Sequence, residues 1–108
     1  MEYRVSAADI NPYLALAAAL GSGIWGIENK IEPTEAIKGN AYDIDLPTEF
    51  QLPRTLTQAA QNFKSSDVAR ELFGNDFVDH YAYTREWEDQ QQRAAITDWQ
   101  LKRYFEIT

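Results

Sequence analysis

The sequence predicts a mostly α-helical chain with one short strand at its N-terminus. Three observations carry that expectation. A Pro-initiated apolar stretch opens the chain. Helix-capping patterns recur through its second half. Only Glu2 to Val5 has the look of extended backbone, and it is too short to stand alone as a sheet.

Residues 1–5 are read as a strand remnant. Glu2 and Arg4 alternate along it, so their side chains share one face. A carboxylate there can bind a hard metal ion, and a guanidinium can hold a carboxylate or phosphate bidentately. On spacing alone the pair reads as a salt-bridged surface strand.

A helix is expected over 11–27, in the stretch "SAADINPYLALAAALGSGIWGI". Asn11 is a good N-cap, and Pro12 suits the first helical position because it has no N–H to lose. Leu16, Leu20, Ile24 and Ile27 follow at helical spacing, with alanines between them that leave no polar face. A helix apolar all round belongs in the interior of a larger body, so this one is expected to be buried there and poorly covered in isolation. Gly21, Gly23 and Gly26 weaken its end or let another backbone approach.

Residues 28–53 read as a long loop, punctuated by Pro33, Gly39, Pro47 and Pro53. Ile31, Ile37, Tyr42, Ile44, Leu46 and Phe50 give it apolar anchors, which suits packing on a larger body. Residues 54–108 read as helical. Thr55 to Gln58 has the form of a capping box, with Leu56, Ala59, Ala60 and Phe63 on one face. Ser65 or Ser66 caps a short helix that stops at Gly74. A longer helix runs from Asp76 to about Arg93, with Phe77, Tyr81 and Ala82 on its apolar side and a strongly polar "REWEDQQQR" end. Thr97 to Gln100 forms a second capping box ahead of Trp99, Leu101, Tyr104 and Phe105.

Composition limits function. The 108 residues suit one domain at most. A net charge of −7 argues against nucleic acid and against anionic membrane surfaces. No cysteine is present for a disulfide, a thiolate metal site or a nucleophile, and a reducing cytoplasm is the default setting. The apolar run from Pro12 to Gly21 is shorter than the roughly 20 residues a membrane span takes. The single histidine, His80, lies within a helix and reads as a surface residue. "GSGIWG" lacks the spacing of a phosphate-binding glycine loop and follows a helix rather than a strand. Glu28 and Glu32 read as solvated, and Tyr83, Trp87 and Trp99 as core or interface.

The stretch "EYR-VSAADINPYLALAAALGSGIWGIENKIEP", Glu2 to Pro33, resembles the glutamine synthetase family. There an E-x-R strand leads into an A-D-x-N-P-Y-L-A helix ending in G-I-x-N-K-I-x-P. The likeness extends through "KGNAYDIDLP" and "LPRTLTQAAQNF", and resumes in "FVDHYAYTREWE" and "TDWQLKRYFEI". The resemblance implies that residues 1–108 are the C-terminal portion of an α+β catalytic domain, beginning inside its R-x-E-x-R strand. It implies a metal-binding role for Glu2 and a role for Arg4 in holding substrate glutamate or its phosphate. It places Tyr42 near where some bacterial relatives carry an adenylylated tyrosine, although "GNAYDID" departs from that subclass.

For the intact protein the resemblance implies a cytoplasmic ligase of nitrogen metabolism. It would use ATP and Mg²⁺ or Mn²⁺ to join ammonia, or a larger amine such as a polyamine or methylamine, to glutamate. Assembly would be a homo-oligomeric double ring. The chain alone is expected to be inactive and to bind no cofactor. A different expectation, from the residues alone, is a non-catalytic helical interaction module.

Overall fold

The structure is a computed structural model that describes residues 3, 5–40, 43–45 and 47–107. It divides into two compact units, Met1–Leu46 and Pro47–Thr108.

The expected N-terminal strand is not found. The described residues contain five α-helices, a short 3-10 turn and no β-strand, and Val5 and Ser6 lie in a bend. The reason is pairing. A strand is defined by its ladder of hydrogen bonds to a neighbour, and among the described residues no second strand offers Tyr3 or Val5 one.

In the first unit, α1 spans Pro12–Glu28. Asn11 caps it, its side-chain oxygen accepting from the N–H groups of Tyr13 (3.0 Å) and Leu14 (3.3 Å). The three glycines do not end the helix. It closes instead on a paired C-terminal motif, in which Ile31 N–H donates to the Gly26 carbonyl (2.9 Å) and Lys30 N–H to that of Ile27 (3.1 Å). This closure puts Lys30 at φ 53, in the left-handed region that glycine or asparagine usually fills. The Asn29 side-chain amide adds a bond to the Trp25 carbonyl at 2.9 Å.

No residue of α1 is buried in this chain, and Leu16 and Ile27 are 70% and 80% exposed. Among the loop residues read as apolar anchors, Ile31, Ile37, Ile44 and Phe50 are likewise exposed. Tyr42 and Leu46 lie outside the described residues.

The second unit begins with the 3-10 turn Thr48–Phe50, followed by α2 (Leu56–Ser65), α3 (Asp67–Phe73), α4 (Asn75–Ala94) and α5 (Asp98–Tyr104). α2 and α3 pack on α4 and on each other, while α5 packs on none of them. The core is small: Ala60, Ala69, Val78 and Ala82 are buried, and Val78 is fully enclosed. An aromatic ladder runs beside it. Phe63 meets Tyr81 edge-on with ring centres 5.7 Å apart, Tyr81 stacks on Phe77 at 5.8 Å, and Phe77 meets Phe73 at 5.6 Å. The small residues let helix backbones come close, and the rings close the remaining gap between helices.

Local chemistry sets each boundary. Thr55 accepts from Gln58 N–H (3.2 Å), but Gln58 reaches back to Arg54 N–H (3.0 Å), one residue earlier than a capping box would. Ser66, rather than Ser65, caps α3 through Ala69 N–H at 3.1 Å. Gly74 separates α3 from α4 at φ 80 and ψ 154, an extended left-handed conformation that only glycine adopts readily. At α5 the capping box is complete: Thr97 accepts from Gln100 N–H (3.2 Å) and Gln100 from Thr97 N–H (2.8 Å).

Candidate functional site

The residues that the family resemblance singles out are Glu2 and Arg4 near the N-terminus and Tyr42 in the long loop. All three lie outside the described residues. Next to them, Tyr3 and Val5 are exposed. No group of three or more His, Cys, Asp or Glu side chains among the described residues could hold a metal ion. His80 is exposed on α4, and Tyr83, Trp87 and Trp99, read as core or interface, are all exposed in this chain.

The described residues contain two polar constellations of their own, both in the second unit. The first ties the start of α2 to the end of α4. Thr57 Oγ1 donates to Asp89 Oδ2 at 2.8 Å, and Arg93 Nε donates to the same oxygen at 2.5 Å. Arg93 Nη2 also reaches Thr57 Oγ1 at 3.4 Å. Asp89 is the buried charged residue of this unit, 8% exposed. The bonds from Arg93 and then Thr57 hold its carboxyl below the usual carboxylate range. It is therefore ionised at neutral pH and already occupied by donors, which suits a clamp and not a proton-transfer group.

The second constellation closes the α3–α4 corner around Arg70. Its guanidinium donates to the Lys64 carbonyl through Nε (3.0 Å) and Nη2 (2.7 Å), to Asn75 Oδ1 through Nη1 (3.1 Å), and to Asp79 Oδ1 through Nη2 (2.7 Å). Arg70 holds the Asp79 carboxyl below its ordinary range, and Asp79 raises the guanidinium in return. Arg70 thus satisfies a carbonyl at the end of α2 while fixing the turn at Gly74.

Sequence reading missed Asp89 because it sits in the polar "REWEDQQQR" segment, which looks uniformly solvated. The available signal was the spacing of Asp89 and Arg93, four residues apart on one helix, which supports an ion pair. Nothing in the sequence marks Thr57 as its third member. An open groove lined by Arg54, Asp89, Arg93 and Trp99, among others, lies beside this clamp. The chemistry of these side chains is architectural: they join helices through satisfied charges.

Residues 1–104 match the family described as "Glutamine synthetase, catalytic domain". The chain belongs to the glutamine synthetase family. It is 44% identical over 107 residues to a glutamate–isopropylamine ligase of a Pseudomonas species, covering 99% of this chain and 23% of the relative. It is 39% identical over 108 residues to type-1 glutamine synthetase 2 of Dictyostelium discoideum, covering 98% of this chain and 21% of the relative. It is 40% identical over 105 residues to the gamma-glutamylethanolamide synthetase GlnA4 of Streptomyces coelicolor, covering 97% of this chain and 22% of the relative. The chain thus spans between a fifth and a quarter of the length of these relatives. No solved structure matches it. No helix among the described residues is long and apolar enough to cross a membrane.

Proposed function

We propose that this chain is the C-terminal portion of an ATP-dependent ligase that joins an amine to the γ-carboxylate of glutamate. The observation that carries this reading is the family match across residues 1–104 together with relatives named as ligases and synthetases. In the reaction, a glutamate carboxylate oxygen takes the terminal phosphoryl group of ATP and ADP leaves. The amine nitrogen then attacks the carbonyl carbon of γ-glutamyl phosphate, the C–O bond to phosphate breaks, and the nitrogen loses a proton. Activation is needed because a free carboxylate is a poor acceptor for an amine.

In this reading Arg4 holds the substrate carboxylate or the transferred phosphate, where a fixed guanidinium counters the charge that develops. Glu2 contributes one ligand to Mg²⁺ or Mn²⁺, which would neutralise phosphate charge when bound. The described residues do not supply a metal site by themselves. Tyr42 is a candidate for covalent modification on the long loop. The intact protein would work in the cytoplasm as a homo-oligomeric double ring.

The acceptor is more specifically an amine larger than ammonia. Two of the relatives carry names that specify isopropylamine and an ethanolamide product, at 44% and 40% identity, although a glutamine synthetase stands beside them at 39%. The test is phosphate release from ATP and glutamate by the full-length protein containing this chain, with ammonia, methylamine, ethanolamine, isopropylamine and putrescine offered separately. Turnover should be faster with one of the organic amines than with ammonia. Release with ammonia alone would make ammonia the acceptor, and no release with any of them would favour a non-catalytic helical module. The 108-residue chain by itself should release no phosphate, and turnover by it would overturn the fragment reading.

A further inference from the structure

We draw no further inference here: the strongest candidate, the exposed apolar surface that α5 and its flanks offer through Ile96, Trp99, Leu101, Tyr104 and Phe105, carries nothing because no feature of the structure shows what covers it.

Discussion

Thr57 and Asp89, thirty-two residues apart, meet at 2.8 Å and fasten the first turn of α2 to the last turns of α4. Because Asp89 also accepts from Arg93, a single oxygen carries both bonds of the clamp. Its folded-state pKa is depressed, so its contribution to stability is present above the unfolded value of about 4 and is lost as pH falls through the folded one. Asp79, depressed by Arg70, acts in the same direction. Melting temperature should therefore change little between neutral pH and about pH 5 and fall below about pH 4. Asp89→Ala should lower it by several degrees at pH 7 and make the acid decline shallower. An unchanged acid slope in the variant would mean that Asp89 is not the titrating clamp.

Gly74→Ala isolates a backbone cost. A Cβ built at Gly74 would meet nothing within 4 Å, so crowding plays no part and the φ of 80 carries the whole effect. Denaturant unfolding should show a loss of about 1–3 kcal/mol. Lys30→Gly should have the opposite sign, since Lys30 occupies the left-handed region at φ 53 without glycine's freedom. It should relieve about 1 kcal/mol at the end of α1 and raise helix content in circular dichroism.

Val78→Ala and Leu16→Ala remove apolar carbon from opposite environments. Val78 is fully enclosed, so its truncation leaves a cavity among α2, α3 and α4 and should cost about 2 kcal/mol. Leu16 loses more carbon, yet it is 70% exposed on α1. In this chain its truncation should stay within about 0.5 kcal/mol, measured by the same unfolding curves.

Glu2 and Arg4 are tested in the full-length protein. If the ligase reading holds, Arg4→Ala should lower kcat on the order of 10²–10³-fold, the loss typical when one charge-stabilising donor is removed. Glu2→Gln should shift half-maximal activity to higher Mg²⁺ or Mn²⁺ concentration. Full activity in both variants would detach these two residues from the chemistry.

Local signals in the sequence translated directly into local structure. Asn11-Pro12, Thr97-Asp-Trp-Gln100 and Gly74 each end or begin a helix where capping chemistry requires. These are short-range hydrogen bonds, written in neighbouring residues. What depends on distant partners was less legible. The strand expected over 1–5 needs a second strand to exist, and its pairing is a long-range property. Val78 and Ala82, not Phe77, are the fully enclosed residues of α4, because helix packing admits small side chains between backbones and leaves the larger ring at the edge. Asp89 is buried in the fold and meets Thr57, a residue far from it in the sequence. The candidate chemistry was legible only through the family resemblance, since one glutamate and one arginine on a short segment have no signature of their own.

The absence of any buried residue in α1 has a consequence for how the chain responds to heat. A helix of 17 residues with no buried side chain draws little on tertiary packing and lies near the margin of stability in water. It should melt gradually, whereas the enclosed unit around Val78 should open cooperatively. Amide hydrogens along Pro12–Glu28 should then exchange with solvent far faster than those of the middle of Asn75–Ala94. A single transition temperature would describe only part of this molecule.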